Sequence, residues 1–145
     1  MKAKLISDAL FERISTISIA NGYNTDIGLK VLRGRRRIDS SDVPCVSIIE
    51  GEDSPQGDAL RSVNIAQTYY IEAQDECDAD HPNDKAHLLL QDMKKALFAV
   101  DNTLNRTVKP VRYRGRVIMP REDGTNIVVA SIQIEVLFVE DLTNP

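Results

Sequence analysis

The segment 127–139, "IVVASIQIEVLFV", constrains this chain more than any other. Val128, Ala130, Ile132, Ile134, Val136 and Phe138 recur at every second position, the period at which side chains alternate across a pleated strand. At about 3.3 Å per residue the strand would span roughly 40 Å. A strand this long presents unpaired backbone at its edge unless something covers it. The rest of the chain, or a neighbouring copy, must supply that cover.

A second alternating run covers 62–74, "SVNIAQTYYIEAQ". Val63, Ile65, Tyr69, Ile71 and Ala73 share one face, with Gln67 as the polar interruption, and Asn64, Thr68 and Glu72 lie on the other. One apolar and one polar face is the pattern of an antiparallel sheet with one side in water. Shorter strands are expected at 27–33, "IGLKVLR", and at "VPCVSIIEG", where Val46 and Ile48 share a face and Pro44 stands near the start. The stretch "EDSPQGDALR" reads as a flexible surface loop. "KPVRYRGRVIMP" reads as a strand with Arg112, Arg114 and Arg116 on one face and Val111, Tyr113 and Val117 on the other. Asp123-Gly124 in "REDGTN" signals a hairpin into the last strand.

Two segments carry helical periodicity instead. Over 3–20, Ile6, Leu10, Ile14 and Ile17 form a stripe, and Asn21-Gly22 reads as its stop. Beyond it, Tyr23 is expected to pack back on that helix. Over 83–101, Ala86, Leu89, Met93, Leu97 and Val100 form a stripe flanked by Leu90 and Ala96, with Pro82 at the helix start. Helix, two strands, a long strand, a helix and a two-strand hairpin predict an α+β, two-layer sandwich. In it, a mostly antiparallel sheet of about five strands carries two helices on one face.

The length of 145 residues fits one domain spanning 1–145, and 42% hydrophobic with 28% charged residues reads as a soluble, globular chain. A net charge of -4 lacks the basic footprint of a nucleic-acid binder. No apolar run approaches a membrane span, and Asp8 and Glu12 interrupt the N-terminal segment where a signal peptide would be continuously apolar. A reduced compartment is therefore expected, with Cys45 and Cys77 as plain thiols.

Signals for chemistry are sparse. Cys77, Asp78, Asp80, His81 and His87 lie close in sequence, but Cys77 has no second cysteine at zinc-site spacing and "DADHPND" has Pro where a calcium loop needs Gly. The segment reads as an acidic turn ahead of a helix N-terminus. No nucleophile elbow and no Gly-rich phosphate loop occurs. The expectation is a protein that is not an enzyme and uses no cofactor or metal.

The arginines are the local anomaly. "RGRRR" supplies Arg33, Arg35, Arg36 and Arg37, and Arg112, Arg114 and Arg116 form a second group, in an otherwise acidic chain. A solvated face, a phosphate-binding surface and a protein interface are all open readings, since arginine is enriched at interfaces and pairs bidentately with carboxylates. Glu52 and Asp53, in the acidic segment 50–53, and the acids of 75–84 would supply the complementary charge on a neighbouring copy. Complementary patches on one chain favour head-to-tail, ring-closing contacts. The candidate interface is thus Arg33, Arg35, Arg36, Arg37, Arg112, Arg114, Arg116, Glu52 and Asp53.

In order, the phrases "ANGYNTDIG", "VLRGRRR", "DVPCVSI", "IAQTYYIEAQ", "HPNDKAHLLLQDMKKAL" and "IVVASIQIEVLF" resemble the tail terminator (tail completion, minor tail protein U-like) family of long-tailed bacteriophages and prophages. The resemblance covers nearly the whole chain and rests on segment order and two local phrases, "NGYNTDIG" and "RGRRR…DVPCVSI". It implies a small α+β protein that forms a ring, as a hexamer, at the head-proximal end of the virion tail. The ring would cap the tail tube, stop its growth and offer a surface to the head-completion or connector protein. The implied partners are copies of itself, the major tail tube protein and the connector, with no membrane and no specific nucleic-acid binding, since DNA only passes through the lumen. The alternatives are another head–tail connector or tail-tube component, or a small cytosolic nucleic-acid-binding module.

Overall fold

A computed structural model describes residues 2–34, 37–58, 60–121 and 124–145. Helix α1 is Lys2–Ile14 and α2 is Pro82–Lys94. The strands are β1 Val31–Arg33, β2 Cys45–Gln56, β3 Ser62–Glu76, β4 Arg112–Met119 and β5 Ile127–Asp141. They form one five-stranded sheet in the order β1-β2-β3-β5-β4. Only the β1–β2 pair is parallel. Both helices cover one face, so the chain is the α+β sandwich that its periodicities predict.

β5 is interior, paired with β3 on one side and β4 on the other. Its backbone is therefore satisfied within the chain, and the expected need for a neighbour to cover it is removed. Val128, Ala130, Ile132, Ile134, Val136 and Phe138 are all buried against the helices, together with Val63, Ile65, Tyr69, Ile71 and Ala73 of β3. The segment 51–56 is strand rather than loop: β2 runs through it, with a bulge between Glu50 and Asp53, and only about five residues then turn back to β3.

The first helix ends six residues earlier than its periodicity suggests. The Ser15 hydroxyl donates to the Phe11 carbonyl at 2.7 Å and the Thr16 hydroxyl to that of Arg13 at 2.7 Å, competing with the next helical turn. Ile17 is nonetheless buried. Asn21-Gly22 does stop a helix, but a separate 3₁₀ turn, Ile19–Asn21, closed by Gly22 at φ 87°. A second 3₁₀ turn, Ile27–Leu29, replaces the first half of the strand expected at 27–33.

Residues 24–28 are fixed from two sides. Asp92, buried on α2, accepts from the Asn24 amide (2.9 Å), the Asn24 side chain (3.0 Å), the Thr25 amide (2.8 Å) and the Thr25 hydroxyl (2.7 Å). Gly28 lies so close to the end of α1 that a Cβ would fall 2.4 Å from the Ile17 carbonyl oxygen and 2.5 Å from that of Ile14. Tyr23 is partly buried against the core and lies beneath the Lys95 ammonium at 4.6 Å. The second helix likewise departs from its pattern. Lys95–Ala99 is a wider π turn that rotates the chain beyond it, so Val100 is 70% exposed instead of completing the stripe.

Asp92→Ala would leave the buried Thr25 amide and hydroxyl without their acceptor and should lower stability by about 2–4 kcal/mol. Gly28→Ala should lower it by about 1–3 kcal/mol through backbone overlap. Urea unfolding should show a lower midpoint for each; a midpoint at the wild-type value in either variant would contradict this assignment.

Candidate functional site

The β4 edge is where basic, aromatic and apolar side chains converge. The chain reaches it through a tight left-handed turn: Leu104, Asn105 and Arg106 have φ of 47°, 59° and 63°, a conformation unfavourable for side chains other than glycine. Asp101 holds this turn. It accepts from the Thr103 hydroxyl, the Thr103 amide and the Asn105 amide, and faces Arg13 of α1 at 3.7 Å. These contacts, the Thr103 hydroxyl first, hold the Asp101 carboxyl down at about 2.

A bulge between Tyr113 and Gly115 then splits the arginines. Arg112 pairs across from Glu135, whereas Arg116 pairs across from the buried Ile132. The expectation that Arg112, Arg114 and Arg116 share one face is therefore wrong, and Val117 moves away from Tyr113 for the same reason. Gly115, at φ 132°, supplies the backbone freedom the bulge uses.

On the helix-free face, Glu135 takes Arg114 at 2.6 Å and Arg112 at 3.7 Å. Two of the three charges are thus partly neutralised within the chain. On the helix face, Arg116 lines a groove of about 620 Å³ between α2 and β4, with His87, Lys94 and Lys95 on its walls and Leu90 and Phe98 among its lining. Lys94 lies 4.8 Å over the Tyr113 ring, which meets Phe98 edge-on at 6.2 Å. Arg116 has no hydrogen bond or ion pair among the described residues. Around the groove, Tyr113 and Val100 are exposed apolar surface.

Of "RGRRR", Arg33 does not join this edge and Arg37 lies only near the far end of β4. Arg35 and Arg36 lie outside the described residues. Arg33 sits on the helix face at the other end of the sheet, held by Asp8 at 2.7 Å and stacked 4.5 Å over Phe11. Lys4 and then Arg33 lower the Asp8 carboxyl below its usual range. Arg37, beside Asp39 at 3.7 Å, shares a crevice with Gln74, Met119 and Val129 on the helix-free face. That is the face of Arg112 and Arg114, but about 20 Å along β5 from Glu135. Glu52 and Asp53 are exposed on the distal half of β2, which β1 leaves uncovered because it pairs only with Val46–Ile48. They stand about 14 Å from β4, three strand spacings away, so Glu52 and Asp53 do not pair with Arg112, Arg114 or Arg116 of the same chain.

Away from the β4 edge, the Ser7 hydroxyl donates to the Glu50 carboxylate and lies 3.4 Å from the Tyr69 hydroxyl, beside Arg33. No three His, Cys, Asp or Glu side chains among the described residues are grouped to hold a metal. Asp78 instead organises the turn, accepting from the Asp80 amide at 2.9 Å. Cys45 and Cys77 are free thiols, and burial, followed by Asp42, pushes Cys45 up to about 11. No described helix is long and apolar enough to cross a membrane. The groove has no counterpart among the sequence expectations. Lys94-Lys95 and the strand-interior Gly115 were the available signals, since a glycine inside a strand marks a bulge. The chain matches no protein-family model and no curated protein sequence.

The folded-state value of Asp101 lies below its ordinary 3.8. Its support of the 101–106 turn is therefore present above the unfolded value and lost as pH falls through about 2. Carboxyl NMR titration should find Asp101 near that value; a midpoint at or above the ordinary one would contradict the capping role. At about pH 8, Cys45 should resist alkylation until the chain unfolds, and labelling in the native state would contradict its burial.

Proposed function

We propose that this protein is a structural assembly component of a phage virion, a tail terminator. It forms a ring on the end of the tail tube, ends tube polymerisation and presents the attachment surface for the head connector. The observation that carries the reading is the β4 edge and its groove. It gathers Arg112, Arg114, Arg116, Lys94, Tyr113 and Phe98 on a sandwich whose described residues offer no grouped set of metal ligands. Arginine and aromatic residues together are the composition of protein interfaces. The resemblance in segment order supplies the particular assembly.

The nucleic-acid alternative gains little from the geometry. Glu135 already holds Arg112 and Arg114, and Arg33 is held by Asp8. A surface gripping DNA would also retard passage through a conduit, since each neutralised phosphate adds affinity.

Deleting the gene in its phage or prophage should give tails of uncontrolled length that fail to join heads, as seen by negative-stain microscopy. Tails of normal length that join heads in the deletion strain would overturn the proposal.

A further inference from the structure

Two surfaces at opposite edges of the sheet complement each other in charge, and Arg116 on one and Glu52 and Asp53 on the other make no ion pair among the described residues. The first is the groove between α2 and β4, where Arg116, Lys94, Lys95 and His87 surround Leu90 and Phe98. The second is the β2–β3 hairpin. Its outer half carries Glu52, Asp53 and Asp58, all exposed, and its turn holds Leu60, which is 93% exposed and the most exposed large apolar side chain described.

We infer that the acidic β2–β3 hairpin of one copy docks in the basic α2/β4 groove of the next, with Leu60 as the apolar knob. This rests on the assembly reading above and specifies which surfaces mate. The contact joins two different patches, so it propagates head-to-tail and closes a ring if the rotation permits. Direct backbone pairing of the two edges is disfavoured. Both strands carry bulges and charged side chains, and β2 has Pro55, devices that block strand addition at an edge. Side chains in a groove avoid that obstacle. Leu60 would meet Phe98 and the exposed Tyr113 ring beside it, and Glu52 and Asp53 would meet Arg116 and Lys94, where arginine adds bidentate geometry.

Reciprocal charge reversal tests this. One variant combines Arg116→Glu with Lys94→Glu; the other combines Glu52→Lys with Asp53→Lys. Self-association and tube-end binding are measured by analytical ultracentrifugation with and without tail tubes, after urea unfolding confirms that each variant folds. Each variant alone should associate at least about tenfold more weakly than wild type, as expected for reversing interfacial charge. An equimolar mixture should recover assembly, because every junction in an alternating ring is then attractive. Leu60→Ser, a surface change that leaves the fold intact, should also weaken association. If either reversed variant alone caps tubes like wild type, or if the mixture does not recover, the docking assignment is overturned while the tail-terminator reading stands. If wild type itself does not bind tube ends, it is that reading which fails. Carbodiimide cross-linking of mixed isotope-labelled copies should join Glu52 or Asp53 to Lys94 or Lys95 between chains; cross-links only within chains would also overturn the docking assignment.

Discussion

The uninterrupted pairing of β3 with β5 is the constraint on which the rest of the structure depends. Fifteen residues of β5, Ile127–Asp141, run in continuous register against Ser62–Glu76. A one-residue slip would turn Ile132, Ile134 and Val136 out of the core and put Gln133 and Glu135 into it. That register also places Glu135 on the helix-free face, where it gathers Arg112 and Arg114. With β5 interior, β4 becomes one edge, and β1 with the uncovered outer half of β2 the other, so the sheet has two borders of opposite character.

The helices are seated on this spine by local contacts that are polar as well as apolar. Asp92 reaches from α2 to the turn at Asn24-Thr25, and Gly28 lets the following backbone lie directly on the end of α1. Arg13 performs a similar task from α1, facing Asp101 below the turn that leads into β4. The β4 edge is thereby braced by helical side chains, Arg13 from α1 and Lys94 from α2.

Much of the fold was legible because its long strands obey a period of two over many residues. The faces expected for Val63–Ala73 and Val128–Phe138 are the faces that enter the core. The misreadings share one cause: a single inserted or diverted residue breaks periodicity. The bulge at Gly115 separates Arg116 from Arg112, the π turn at Lys95–Ala99 releases Val100, and back-bonding by Ser15 and Thr16 shortens α1. The candidate site was legible only as a charge imbalance. Its groove depends on where α2 lies relative to β4, and no local pattern encodes that. Leu60 read as an ordinary loop residue because its exposure is set by the fold and not by any local pattern.

The central claim is that copies of this chain assemble as a ring on a tube end. The most direct measurement is the mass of the protein alone and with purified tail tubes of the same phage, by light scattering coupled to size exclusion and by electron microscopy of tube ends. The account predicts a closed ring seated on one end of each tube and no further tube growth beyond it. A strict monomer in every condition, with tube ends left bare and free to elongate, would contradict it.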